Sequence, residues 1–241
     1  PCSGAQSGPA IRVSAGEDIV TRYTLRHFAS AEALAQETAD HLERHLLETG
    51  PVAVMLSGGT TPVRVYQELC RRKSRASDSV RVLYSDERYV TTGSSDSNYG
   101  ATLPLLSQLG LPESRVFRVH TELAWQAAAT RYHEELRRFM NGNGRITLGL
   151  LGLGADGHTA SLFTPADVAR GENLYAVAVP HEPKPDRISV TPELLRRVER
   201  LVILVAGPEK NAIVAKLIET PDQVVAGLAL RNATSIEIWQ A

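Results

Sequence analysis

Val52-Ala53-Val54-Met55-Leu56-Ser57-Gly58-Gly59-Thr60-Thr61-Pro62 is the stretch on which the fold turns. Five consecutive apolar residues without polar alternation suit a strand buried on both faces. Two glycines then allow a tight turn, and Pro62 suits the first turn of a helix, where a missing N–H costs nothing. A helix is predicted over 62–72. Working outward, the same alternation recurs. Compact Val-, Ile- and Leu-rich runs at 80–84, 146–151, 174–179 and 201–205 read as strands, and a last run at 235–239 is expected to close an edge. Between them lie helical patterns at 31–47, opened by Ser30 and closed at Gly50, at 122–140, ended by Asn141-Gly142, and at 208–218, stopped before Pro221. Strand following helix in this way predicts an α/β fold, a mostly parallel sheet flanked by helices on both faces. One domain over 11–241 is expected, preceded by a loose Gly-, Ser- and Pro-rich tail at 1–10.

Composition narrows the function. With 43% hydrophobic and 22% charged residues the chain has ordinary globular content. Its 26 basic and 27 acidic residues give a net charge of -1, which disfavours wholesale binding of nucleic acid or of an anionic membrane. The longest apolar runs are too short to span a bilayer, and the first ten residues lack the basic start and apolar stretch of a secretory signal. Cys2 and Cys70 offer neither a disulfide framework nor a metal-ligand spacing, so a cytoplasmic location is expected.

In a parallel sheet, ligands bind at the carboxyl ends of the strands, so four loops carry the search for chemistry. In the first, the N–H groups at the helix start around Gly58, Gly59 and Thr60 form an anion pocket; alternatively Thr60 or Thr61 caps the helix. No Gly-Lys-Ser/Thr follows, which excludes a Walker loop. The second, Tyr84-Ser85-Asp86-Glu87-Arg88-Tyr89-Val90, offers a guanidinium fork for a phosphate, with a solvated charged loop as the other reading. Downstream, Asn98 either contacts the ligand or starts the next helix.

The third loop, Leu151-Gly152-Leu153-Gly154-Ala155-Asp156-Gly157-His158-Thr159-Ala160-Ser161, contains a literal G-x-G-x-x-G. A dinucleotide reading fails, because an Asp and a His sit where a pyrophosphate needs bare backbone. A carboxylate two residues before an imidazole can instead orient it as a base, so Asp156 and His158 are the candidate catalytic pair. His41 and His45 stand at i and i+4 without the zincin pattern, while His27, His120, His133 and His181 have no companion constellation, so no metal site is predicted. The fourth loop, Pro180-His181-Glu182-Pro183-Lys184-Pro185-Asp186-Arg187, supplies Lys184 and Arg187 as further anion contacts or as solvated charges. Lys210, one of only four lysines, follows the 201–205 strand and either reaches the same end of the sheet or sits in solvent.

Together these motifs resemble the 6-phosphogluconolactonases. Ser57-Gly58-Gly59-Thr60-Thr61-Pro62, Asp86-Glu87-Arg88, Ser97-Asn98, the block from Gly152 through Asp156-Gly157-His158 to Leu162-Phe163, and Arg187-Ile188-Ser189 occur in the family's order, and the likeness runs from the first helix to Trp239. Two departures stand out: Thr164 replaces the proline usual after the phenylalanine, and the acidic-Ala-Ala ending is missing at Ala241. The resemblance implies a modified Rossmann-like fold and hydrolysis of 6-phospho-D-glucono-1,5-lactone to 6-phosphogluconate, in the oxidative pentose phosphate pathway, without metal or cofactor. It also implies His158 as base, Asp156 orienting it, and a substrate grip by Gly58, Gly59, Thr60, Arg88, Asn98, Lys184, Arg187 and Lys210. The expected partner is the small phosphorylated lactone, with the chain a monomer or weak homo-oligomer. Glucosamine-6-phosphate deaminases are similar around Asp-Gly-His but continue toward Asn-Glu-Pro and carry tyrosine at the Arg88 position. A third reading, a non-catalytic sugar-phosphate sensor, gives no reason for the Asp156–His158 pair.

Overall fold

The computed structural model describes residues 6–7, 11–12 and 22–241. The first half of the chain holds β1 (Gln6–Ser7), β2 (Ile11–Arg12), β3 (Arg22–His27), α1 (Ala31–Leu46), β4 (Val52–Leu56), α2 (Thr60–Arg72), β5 (Arg81–Tyr84) and β6 (Asp86–Arg88). Next come α3 (Asn98–Leu109), β7 (Val116–Phe117), α4 (Trp125–Asn141), β8 (Arg145–Gly152), α5 (Pro165–Arg170) and β9 (Ala176–Val179). The last part holds β10 (Arg187–Val190), α6 (Pro192–Leu195), β11 (Leu201–Val205), α7 (Asn211–Glu219), α8 (Val225–Leu230) and β12 (Ile236–Gln240). The predicted loose tail falls largely outside the described residues; where it is described, β1 pairs antiparallel with β3.

Seven strands run parallel in the order β3-β12-β11-β8-β4-β5-β7. Every residue of β4 and of β11 is buried, as the unbroken apolar runs require. Side chains alternate between two cores. Val54, Leu56, Leu148 and Leu150 face Leu34, Leu42, Val65, Leu69 and Leu105 of α1, α2 and α3. Ala53, Met55 and Leu151 face Tyr132, Leu136, Leu217 and Leu230 of α4, α7 and α8. Helices thus cover both faces, as predicted.

From β4 the chain moves through α2 to β5 on one side, whereas from β8 it moves to β11 on the other. The direction of winding therefore reverses between β4 and β8, and a crevice opens at the carboxyl ends of a parallel sheet where that happens.

Three expectations are corrected. The 235–239 run does not close an edge: β12 lies inside the sheet, because β3, whose charged sequence gave no apolar run, pairs along its outer side. The 174–179 run belongs to a separate antiparallel sheet in the order β6-β10-β9. Within the presumed 84–90 loop, Asp86–Arg88 is a strand of that same small sheet. The chain changes sheets at Ser85, whose N–H donates to Leu56 O at 2.8 Å and whose carbonyl accepts from Val190 N at 2.8 Å.

Candidate active site

Adjacent strands β11, β8, β4 and β5 deliver their following loops to one cleft of about 230 Å³. Its lining includes Gly58, Gly59 and Thr60 after β4, Asp86 and Arg88 after β5, Gly154 and His158 after β8, and Lys210 after β11.

One end of the cleft is the start of α2. Helices α1, α3 and α5 are capped by Ser30, Ser97 and Thr164, whereas α2, like α4, α7 and α8, has no side-chain cap and no acid in its first turn; its N-cap is Gly59, on the cleft wall. Neither Thr60 nor Thr61 takes the capping role left open by the sequence. Unpaired N–H groups and the positive end of the helix dipole are thereby turned on the cleft. Buried groups hold this loop still. The Tyr66 hydroxyl donates to Ser57 O at 2.7 Å and accepts from Ser57 N at 3.0 Å. Gly58 lies so close to the Asn98 amide that any β-carbon would overlap it. Asn98 is the first residue of α3 and buried, and its amide donates to Asp86 O at 2.9 Å. Of the two readings of Asn98, the helix start is what is seen; the residue does not line the cleft but braces the glycine loop from behind.

Arg88 extends this end. It stands directly opposite Arg187 in the β6–β10 ladder. Two like charges facing each other across a ladder repel, and burial together with Arg88 pushes the Arg187 guanidinium below its ordinary pKa. Among the described residues neither side chain has a carboxylate partner. Arg88 donates to Asp96 O at 2.8 Å while its buried Nε has no acceptor, and Arg187 donates to Pro185 O. A bound anion would relieve both the repulsion and the orphaned donor. The neighbouring Glu87 is committed elsewhere. Buried, it accepts from the N–H groups of Arg88, Asn98 and Tyr99 at 2.7–2.8 Å and so ties β6 to the start of α3; burial raises its pKa against those backbone bonds.

The other end is the turn after β8. His158 Nδ1 lies 2.5 Å from Asp156 Oδ1, and the His158 N–H donates to the same oxygen at 3.2 Å. Burial pushes the Asp156 pKa up, but the His158 side-chain and backbone bonds outweigh it and leave the acid below its ordinary value. Asp156 is therefore ionised at neutral pH and can only accept, so the proton of neutral His158 sits on Nδ1 and its Nε2 carries the lone pair. The side chain of His158 is 30% exposed and that of Asp156 62%. Gly154 permits this geometry, because a β-carbon there would collide with both the His158 ring and the Asp156 carboxylate. The N–H groups of Gly154 and Gly157 are spent on His158 O and Gly154 O, both at 2.9 Å, which removes the donors a pyrophosphate would need.

Lys210 joins the two ends, donating to Leu153 O at 2.6 Å from the cleft wall. Lys184 does not line the cleft; its ammonium binds Asp186 at 2.8 and 2.9 Å. Sequence reasoning passed over Asp86 as a site residue in its own right. It is buried, lines the cleft, and accepts from Ser85 Oγ at 2.9 Å and Ser161 Oγ at 2.7 Å. The signal was present in the three charges at a strand end, but its partner Ser161 lies far along the chain. His181, read as lacking companions, packs against Phe163. Among the described residues no three His, Cys, Asp or Glu side chains converge to hold a metal ion, and no helix is long and apolar enough to cross a membrane.

Residues 26–236 match the family described as glucosamine-6-phosphate isomerases/6-phosphogluconolactonase. A 6-phosphogluconolactonase of Chlamydia pneumoniae is 31% identical over 170 residues, which are 69% of this chain and 64% of that protein. One from Thermotoga maritima is 32% identical over 183 residues, 75% of this chain and 81% of that protein. The crystal structure of the devB protein superposes with a TM-score of 0.77 at 28% identity, covering 90% of this chain and 96% of the other.

Proposed function

The chain belongs to the glucosamine-6-phosphate isomerase/6-phosphogluconolactonase family, and from that membership we propose that it hydrolyses 6-phospho-D-glucono-1,5-lactone to 6-phosphogluconate. The observation that carries this reading is the presence in one cleft of an oriented imidazole and a helix start whose N–H groups form an anion cradle. The 6-phosphate would dock on the N–H groups at Gly58, Gly59 and Thr60 and on the Arg88 guanidinium, with Arg187 behind it. The sugar hydroxyls would lie against Asp86, and the lactone carbonyl would face His158.

His158 Nε2 then takes a proton from water as the oxygen attacks the carbonyl carbon. The N–H groups of Gly154 and Gly157 are already bonded, so the developing oxyanion is left to the Lys210 ammonium, which keeps two N–H bonds beyond the one given to Leu153 O. Collapse breaks the bond to the ring oxygen, which takes the proton back from Nε2. The acid formed ionises, and one proton reaches solvent per turnover. Asp156 holds the imidazolium between these two transfers. No step requires a metal or a cofactor, and the chain would act in the cytoplasm on a small phosphorylated lactone.

Acid release from freshly prepared lactone, measured against a protein-free blank, tests the reading. Turnover above the blank on the phosphorylated lactone, with no ammonia formed from glucosamine 6-phosphate, is expected. Ammonia release without lactone opening would make the chain a deaminase, and binding without either reaction would make it a sensor.

A further inference from the structure

Asp156 restrains one atom of the His158 ring. Its carboxylate is 62% exposed, so water competes for it, and a lone hydrogen bond leaves the ring able to turn about the contact. A general base has to be held more closely than that to meet an attacking water in line.

A second restraint comes from aromatic packing. The Phe163 ring lies 4.7 Å from that of His158, centroid to centroid, with the planes inclined at 50°, and 4.4 Å from that of His181, again at 50°. Phe163 is thus held between two imidazoles. Its backbone is fixed independently of its ring: Leu162 N donates to Thr159 O at 3.0 Å, and Phe163 N to Asp167 Oδ2 at 3.3 Å. His181 is anchored in turn. Its Nδ1 lies 2.7 Å from Pro183 O, which can only accept, so that nitrogen carries the proton; its backbone N–H donates to Asp186 Oδ1 at 3.1 Å. Asp186 is the carboxylate that Lys184 binds.

We infer that Phe163 and His181 are positioning residues for the base: Asp156 fixes Nδ1 of His158, and the tilted ring contacts fix the plane of its ring. Lys184 serves the same end through Asp186, steadying the loop that carries His181. This inference rests on the reading of His158 as the base. It accounts for a phenylalanine set five residues after the histidine, and for a lysine-bearing loop whose cation is taken up by Asp186 and does not line the cleft.

The test combines steady-state kinetics of lactone opening with NMR of the His158 Cε1–H resonance in the full chain. Phe163→Leu keeps bulk and removes the aromatic face, and kcat is expected to fall about 10-fold with KM unchanged. Phe163→Tyr is expected to stay within about twofold of wild type. His181→Ala should lose about three- to fivefold in kcat, and His181→Phe should recover it. In Phe163→Leu and His181→Ala the His158 resonance should shift and broaden, while melting temperatures report folding separately. Wild-type kcat in both variants, or losses shared equally by Phe163→Leu and Phe163→Tyr, would overturn the inference. An unmoved resonance would overturn it even in an active enzyme. A resonance that moves as expected in these variants, when the wild-type chain shows no lactone turnover, would leave the positioning intact and reject the reaction.

Discussion

The two ends of the cleft are built in opposite ways. The anion end is assembled from segments far apart in the chain and locked by buried bonds, Tyr66 on Ser57, Asn98 on Asp86 and Glu87 on the start of α3, while Arg88 and Arg187 face each other across a ladder. The base end is local and half-open, a turn of a few residues in which Asp156 and His158 meet at 2.5 Å. The contrast follows from what each end has to do. A phosphate cradle must be pre-formed, since donors that reorganise on binding waste affinity. A base must exchange protons with water, so complete burial would disable it.

The sharpest way to break the comparison is at the base. His158→Ala is expected to lower kcat by about 10²–10⁴-fold and to leave product affinity nearly unchanged, as measured by acid release corrected for spontaneous opening and by calorimetric titration with 6-phosphogluconate. Near-normal turnover would mean that the local end is not the chemical end. Arg88→Ala is expected to act the other way, weakening binding of the phosphorylated lactone by about 1.5–3 kcal/mol, or about 10- to 150-fold. A non-phosphorylated lactone should be barely affected, and an equal loss on both substrates would sever Arg88 from the phosphate.

Ser161→Ala probes the seam between the ends, because the Ser161 hydroxyl reaches from the base turn to Asp86. Its loss leaves a buried carboxylate oxygen short of a donor and should cost about 1–2 kcal/mol of stability, read as a lower midpoint in urea, with a smaller effect on kcat. A last test lies outside the cleft, leaves turnover at neutral pH untouched, and separates acid unfolding from acid inactivation. Burial, then His45, Arg200 and Arg44, depress the pKa of His41 to about 3. An unfolded histidine titrates near 6.5. The folded state therefore binds fewer protons below that pH, and stability is lost as pH falls from about 6.5 toward 3, by up to about 1.4 kcal/mol per pH unit. His41→Leu should flatten that slope without moving the pH dependence of kcat at full folding.

What could be read from sequence follows the same division. The base pair was legible because Gly154, Asp156 and His158 sit within five residues, and the glycine loop because a strand, two glycines and a helix start are contiguous. The apolar strands announced themselves by being buried on both faces. Strand β3 did not, since its charges break the apolar run that marks the other parallel strands, and β6 did not, since Asp86-Glu87-Arg88 reads as a solvated run until β10 pairs with it. The roles of Arg187 and Lys184 depended on register and on local partners. Three residues apart in sequence, one faces Arg88 across a ladder while the other is taken up by Asp186. Composition and spacing contain neither fact.

The bare first turn of α2 carries one more consequence. A helix that waits for its cap from outside is incomplete while the cleft is empty, and any anion that completes it stabilises the native state by mass action. Resistance to heat and to proteolysis would then track the supply of substrate, so that the enzyme is hardiest when there is work for it and most readily cleared when there is none.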